Sequence, residues 1–455
     1  MRSPALPSSE LDAALAEATD RYRAHNPASE RLLLEASDVL PAGNTRSVLF
    51  YSPFPLYMAR GEGCQLWDAD GHRYLDALGE FTAGIYGHSN AVIQQAIVAA
   101  LQDGLSLSSH TAREAALAHE IQRRFPDMAL LRFTNSGTEA NLMALAAATA
   151  HTGRRKVLVF NGAYHGGVLS FGGGGSPVNV PHDFVVAPYN DIDAVRALAQ
   201  THGAQLAAIL VEPMLGAGGC IPAEPAFLHG LRTLASECGA LLILDEVMTS
   251  RLSAGGRQAL LGLTPDLTTL GKYFGGGLSF GAFGGRADVM ERFDPRRADA
   301  LGHAGTFNNN ALTMAAGLAG LTQVLTPTAL EALNQRGERL REQLNAVFQR
   351  HAVGLQFTGL GSVMQLHATD RPLRNAADLA GADDRVKALL FFDQLERGIF
   401  LARRGLVALS LPFGDAQADE FVAAMEAVVA ARSSLLPAAV PGFPPPADRP
   451  STFSF

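Results

Sequence analysis

The order of apolar and polar positions divides the 455-residue chain into unlike stretches. Residues 10–37 follow a helical period, which Pro41-Ala42-Gly43-Asn44-Thr45-Arg46 breaks into a loop. Residues 65–76 have two apolar edges about an Asp70-Gly71 turn, the mark of a β-hairpin. From about residue 90 to 325, helical patterns alternate with short, almost wholly apolar runs at 156–160, 207–211, 240–244 and 278–283. Strands of that kind are buried on both faces, so the pattern predicts a mostly parallel sheet covered by helices. Residues 311–324 and 328–350 are expected to be long helices leading out of that sheet. Beyond them, strand-like runs (362–367, 407–411) alternate with helical ones (384–397, 416–432), a smaller α+β unit. The expected fold class is α/β. An N-terminal segment 1–75 joins the small domain, a large domain covers 76–325, a C-terminal small domain covers 326–435, and 436–455 is a proline-rich, irregular tail.

Composition narrows the function. With 47% hydrophobic residues, 18% charged and 46 glycines, the chain reads as a loop-rich α/β enzyme. A net charge of −8 gives no basic footprint for nucleic acid. No apolar run reaches the roughly 18 residues of a membrane span. Met1-Arg2-Ser3-Pro4 is not followed by a signal-like apolar stretch, so a cytoplasmic location is expected. Cys64, Cys220 and Cys238 are widely spaced and odd in number, which fits neither a disulfide framework nor a metal site.

Only three of the 36 basic residues are lysines, and Lys272 lies among apolar residues and glycines in Leu270-Gly271-Lys272-Tyr273-Phe274-Gly275-Gly276-Gly277. Desolvation lowers an amine's pKa and frees its lone pair, as a Schiff-base lysine requires. The Gly-Lys pair is no phosphate-binding P-loop, because Asp266 and Tyr273 occupy the places that need a glycine and a hydroxyl residue. Three upstream segments supply a context. Asn135-Ser136-Gly137-Thr138-Glu139-Ala140-Asn141 runs into an alanine-rich helix and offers free amides and hydroxyls, either a phosphate cradle or an ordinary helix cap. Asp245 ends the apolar run 241–244 at a sheet's carboxyl edge, where it either pairs with a protonated ring nitrogen or caps the next helix. Val247 then points the same way and packs against a flat ring. Gly162-Ala163-Tyr164-His165-Gly166-Gly167 presents an aromatic that stacks on a ring, with His165 in a supporting place. A phosphate site, a cation-holding carboxylate, a stacking aromatic and an isolated lysine together specify pyridoxal 5′-phosphate.

These segments, with Gly305-Thr306-Phe307-Asn308, closely resemble the class III, fold type I aminotransferases over about residues 40–435. The resemblance implies that Lys272 binds the cofactor and then acts as general base and acid. It implies that Asp245 keeps the ring nitrogen protonated, that Tyr164 and Val247 sandwich the ring with Met248 alongside, and that Ser136, Gly137 and Thr138 bind the phosphate. Thr306 of the partner subunit completes that cradle in a homodimer. Glu212, in Val211-Glu212-Pro213, either hydrogen-bonds within the site or is a structural carboxylate. Arg404 would bind the substrate carboxylate and Arg46 would be a mobile second clamp, although the doubled Arg403-Arg404 leaves the clamp's identity open.

Two subgroups compete. Met248 and Gly281-Ala282-Phe283-Gly284-Gly285-Arg286 look like glutamate-1-semialdehyde 2,1-aminomutase, which moves an amine within one molecule. Gly43-Asn44-Thr45-Arg46-Ser47, Thr249-Ser250-Arg251-Leu252, Asn308-Asn309-Asn310 and Arg404-Gly405-Leu406-Val407 resemble the β-phenylalanine aminotransferase group in more detail. That resemblance implies transfer of the amino group of an aromatic β-amino acid such as (S)-β-phenylalanine to a 2-oxo acid, 2-oxoglutarate or pyruvate.

Overall fold

The computed structural model describes residues 8–440. Its centre is a seven-stranded sheet in the order Leu130–Thr134, Gly281–Gly285, Leu267–Gly271, Leu241–Asp245, Leu206–Val211, Lys156–Phe160, Asp183–Ala187. All neighbouring pairs are parallel except those of Gly281–Gly285, which runs antiparallel to both its neighbours. Helices Gly137–Thr152, Ile192–His202 and Pro225–Cys238 belong to the layers over it. Every residue of Leu206–Val211 and Leu241–Asp245 is buried, as strands with both faces covered must be.

The antiparallel strand lies later than its apolar run predicts. Gly276 and Gly277 turn the chain at positive φ before it starts, and the strand itself is mostly glycine. A Cβ on Gly284 or Gly285 would overlap the Leu130 or Asp266 carbonyl, so close backbone approach selects residues that a hydrophobic pattern passes over.

Two smaller sheets flank this unit. Met58–Glu62, Gln65–Asp68 and Arg73–Asp76 form an antiparallel ribbon, with Gly71 at φ +90° in the expected hairpin turn. Ile399–Phe400 adds to that ribbon in parallel with Arg73–Asp76. Gln356–Leu360, Val363–His367 and Leu406–Ala408 make the other sheet, backed by the long helix Pro327–Arg350. N-terminal and C-terminal segments thus share one sheet.

Three expectations need correction. The helix expected over 10–37 is two helices, Ser8–His25 and Pro27–Ser37. Pro27 has no N–H to give and disfavours helical backbone at Asn26, whose φ/ψ are −126°/50°. The helix expected over 311–324 is α-helical only for Ala311–Ala319 and widens to a π turn at Gly320–Val324. The tail expected to be irregular from 436 is tied down at its start: Leu436 is buried and Ala438 bridges Val353. The rest of that tail, from 441, lies outside the described residues. No helix among the described residues is long and apolar enough to cross a membrane.

Candidate active site

Asp245 closes the middle strand of the central sheet at its carboxyl edge and is 4% exposed. Its Oδ2 accepts from Asn141 Nδ2 at 2.8 Å and lies 2.7 Å from His165 Nδ1, while Oδ1 accepts the Val247 N–H at 3.0 Å. Asn141 is itself aimed by Thr269, which donates to its Oδ1 at 2.7 Å. With Nδ1 committed to the carboxylate, His165 keeps a buried Nε2 without a partner. The histidine is therefore an orienting neighbour of Asp245, the supporting place expected for it.

Ser136 caps helix Gly137–Thr152, its Oγ accepting from Glu139 N at 3.2 Å. The N–H groups of Gly137 and Thr138 fall in the first turn, where no helical carbonyl reaches them, so they form an anion-binding end. A Cβ on Gly137 would press on Val247 at 2.9 Å, and one on Gly271 would meet Val247 at 3.3 Å. The helix start, the loop after Asp245 and the lysine strand therefore interlock around Val247. Tyr164 is 46% exposed and its N–H donates to Glu212 Oε2 at 2.9 Å. Glu212 Oε1 accepts from Gly216 N at 3.0 Å, and burial pushes this carboxyl up to about 7. The Met248 sulfur packs onto Gly216.

Lys272 follows strand Leu267–Gly271 at φ +59° and is partly buried. Desolvation brings its amine down to about 8; Asp245 and Glu80 oppose that shift, and Arg46 and Arg404 add to it. Its Nζ donates to the Phe81 carbonyl at 2.8 Å. Phe81 belongs to a turn, Gly79–Thr82, in which all four residues have positive φ (52°, 48°, 52° and 78°). Left-handed backbone costs a non-glycine residue roughly 1–2 kcal/mol, so this turn stores strain of several kcal/mol beside the lysine. Gly79 is obligatory, since a Cβ there would overlap the Ala408 carbonyl.

The same turn carries the two predicted arginines on its aromatic ring. The Arg46 and Arg404 guanidinium carbons lie 5.8 Å and 5.6 Å from the Phe81 centroid. Arg46 pairs with Glu80 at 2.5 Å, both side chains being largely exposed. Arg404 is half-buried, its Nε lacks a partner, and no carboxylate pairs with it among the described residues. Arg403 is exposed, so geometry favours Arg404 as the inward cation. Thr306 is the one predicted residue set apart: it is exposed beside Phe307, itself 61% exposed, while Asn308 ties the loop to Asn135 at 2.9 Å. Asn141 and the Gly79–Thr82 turn were not assigned from sequence. Asn141 ends the run Asn135–Asn141 and is at helical spacing from Gly137, whereas nothing but Gly79 marks the turn.

A doubly covered, mostly parallel sheet with an anion-binding helix start, an edge carboxylate and a desolvated lysine defines a pyridoxal-phosphate enzyme of fold type I. Residues 50–429 match the class-III aminotransferase family, and the chain belongs to that family. It is 55% identical to a β-phenylalanine transaminase of Variovorax paradoxus over 94% of this chain and 99% of that one. The solved structure of a β-phenylalanine aminotransferase from that organism superposes with a TM-score of 0.93, covering 94% of this chain and 100% of the other at 55% identity. A glutamate-1-semialdehyde 2,1-aminomutase of Heliobacterium modesticaldum is 36% identical over 88% of this chain and 95% of its own length. With the family comes its cofactor, pyridoxal 5′-phosphate. The open amides at Gly137 and Thr138, and the apolar shelf of Val247 beside Asp245, fit that group.

Glu246, next to Asp245, has no accessible surface and accepts from Gln258 N at 2.7 Å and from the Thr249 hydroxyl. Burial pushes its carboxyl from an ordinary 4.5 to about 7. Between those values the folded protein holds a proton that the unfolded chain has lost, so this group's contribution to stability falls as pH rises through the window. Glu246→Gln cannot ionise. Its stability relative to wild type should therefore increase from pH 4.5 to 7, by up to roughly 3 kcal/mol. Unfolding midpoints of both proteins at the two ends of the window check this; a pH-independent difference would contradict it.

Proposed function

We propose that this protein transfers the amino group of an aromatic β-amino acid such as (S)-β-phenylalanine to 2-oxoglutarate or pyruvate, as a cytoplasmic homodimer. The observation that carries the reading is the pair of guanidinium groups, Arg46 and Arg404, on the Phe81 ring beside Lys272. In a β-amino acid the carboxylate lies one carbon further from the amine than in an α-amino acid. A site for it holds a carboxylate and an aryl group on opposite sides of the amine-bearing carbon. Arg404, with no carboxylate paired to it among the described residues, meets the first need. The apolar side chains of Met214, Ala402 and Met248 meet the second. Arg46 is held only by exposed Glu80, so it can exchange partners when the second carboxylate of 2-oxoglutarate arrives. Likeness to the Variovorax transaminase supports the same substrate class.

When bound, pyridoxal 5′-phosphate draws electrons from the bond broken at the amine-bearing carbon into its ring. Ser136, Gly137 and Thr138 hold the phosphate, joined by Thr306 of the partner subunit. Asp245, oriented by His165 and Asn141, keeps the ring nitrogen charged. Tyr164 and Val247 cover the ring faces, with Met248 alongside, and Glu212 fixes the Tyr164 backbone. Lys272 would carry the cofactor covalently; once released, its amine, near 8, would be neutral often enough at physiological pH to take a proton and return it.

The substrate is tested by adding β-phenylalanine alone to the loaded protein. The visible band should convert to the amine form of the cofactor. No change with that donor, together with turnover of glutamate-1-semialdehyde without an acceptor, would favour the aminomutase instead. Loss of a bidentate arginine clamp costs on the order of tenfold to a thousandfold in kcat/KM. Arg404→Ala should show that loss in both half-reactions while Arg403→Ala stays mild; the reverse order would make Arg403 the clamp. For the dimer, inactive Lys272→Ala and inactive Thr306→Ala proteins are mixed and re-associated. Partial recovery is expected, because one of the two composite sites then has both intact residues. A fully active monomer by light scattering would rule the shared site out.

A further inference from the structure

Arg251 has no accessible surface and forms no ion pair among the described residues. A buried charge is ordinarily paired. This one is satisfied by neutral acceptors: Nε donates to Ser362 Oγ at 3.1 Å, Nη1 to the Thr82 carbonyl at 3.3 Å and Nη2 to the Leu409 carbonyl. Asn334 locks the assembly, donating to the Arg251 carbonyl at 2.9 Å and accepting from Ser362 Oγ at 2.9 Å. The guanidinium thus reaches from the loop after Asp245 to the strained turn and to the small sheet's side of the molecule.

The turn needs such a hold. Its first residues are fixed by Asp76 Oδ1, which accepts from Leu78 N at 2.9 Å and Gly79 N at 3.0 Å. At its other end the turn is closed by its own bonds, Ala83 N to the Glu80 carbonyl and Gly84 N to the Gly79 carbonyl, and Arg251 is the side chain that grips it from outside, at Thr82. Non-glycine residues in left-handed backbone relax unless their surroundings over-determine them. If the Thr82 end were freed, the Phe81 carbonyl would leave the lysine amine. While it stays, one N–H of Nζ is committed to that carbonyl. This restricts rotation about the Cε–Nζ bond and keeps the lone pair directed away from that carbonyl. The charged groups around the amine are Asp245, Glu80, Arg46 and Arg404, and Glu80 rides on the same turn.

We propose that Arg251 is a positioning residue: it holds Gly79–Thr82 left-handed so that the Phe81 carbonyl seats the Lys272 amine for proton transfer. The inference rests on the reading of Lys272 as the cofactor-bearing lysine.

The chain has only three lysines, so each is separable at peptide level. Lys156 and Lys387, paired with Asp183 and Asp384, serve as internal references. Full-length wild type, Arg251→Met and Arg251→Lys, freed of cofactor, are pulse-labelled with an amine-acylating reagent from roughly pH 6 to 11 and mapped by mass spectrometry. Wild-type Lys272 should titrate near about 8. In Arg251→Met water reaches the amine, and its midpoint should rise by about one unit while the two references stay fixed. In the loaded enzyme kcat should fall about tenfold with the amino-donor KM changed less than about threefold, the split of a proton-transfer defect rather than a binding one. Arg251→Lys keeps the charge without the three-way fork and should show the same changes at smaller size. If Arg251→Met does not fold, Arg251→Lys decides by the same criteria. A folded variant with wild-type Lys272 titration overturns the proposal, as does a wild-type Lys272 that titrates with the references. Borohydride reduction of the loaded proteins should fix the cofactor on Lys272 in each. Attachment elsewhere would instead refute the reading of Lys272.

Discussion

The buried Asp245 carboxylate is the constraint on which the rest of the site depends. A charge withdrawn from water costs several kcal/mol unless fixed dipoles replace the water. Here an imidazole, a side-chain amide and a backbone N–H do so. Each comes from a different part of the chain. Asn141 lies one turn into the helix whose first amides are those of Gly137 and Thr138, His165 lies in the loop after Lys156–Phe160, and Val247 lies in the loop beyond the strand. Thr269, on the lysine's own strand, sets Asn141. Solvating one carboxylate therefore registers the anion-binding end, the stacking loop and the lysine against one another.

The opposite wall follows another logic. Its cations differ: among the described residues Arg404 meets no carboxylate, and Arg46 pairs with an exposed one, Glu80. Both lean on the face of a single ring, which attracts a guanidinium without competing for its in-plane donors. Arg404 Nε has no partner among the described residues, while Arg46 is shared with Glu80. The ring keeps that place through a backbone conformation that its own residue type disfavours, so the two guanidinium groups and the lysine amine share one strained turn.

Much of this was legible in the chain because local rules governed it. Ser136 and the glycine after it announce a helix start, the apolar run before Asp245 announces a buried strand, and a lysine among glycines stands out where basic residues are otherwise arginine. What escaped the pattern was imposed from a distance. Strand Leu267–Gly271 contains two buried threonines whose hydroxyls are satisfied by Gln258 and Asn141, so its polarity hides its burial. Gly281–Gly285 is chosen for closeness of backbones rather than hydrophobicity. Glu80, Phe81 and Thr82 have no local reason to be left-handed. Nor does Arg251 announce burial, because its partners are carbonyls and a serine more than a hundred residues away on one side or the other.

The parallel pairing of Arg73–Asp76 with Ile399–Phe400 also bears on how the molecule is made. The earlier strand leaves the ribosome about 325 residues before the one that completes its sheet. At roughly 5–20 residues per second, that is a wait of tens of seconds. The left-handed turn follows the waiting strand within a few residues, and Arg404 follows the late one just as closely. The turn and Arg404 therefore come together near the end of synthesis, while the central sheet and its lysine can be in place much earlier. The emerging chain can thus acquire its anion-binding helix start and its lysine before the turn whose carbonyl receives that lysine's amine.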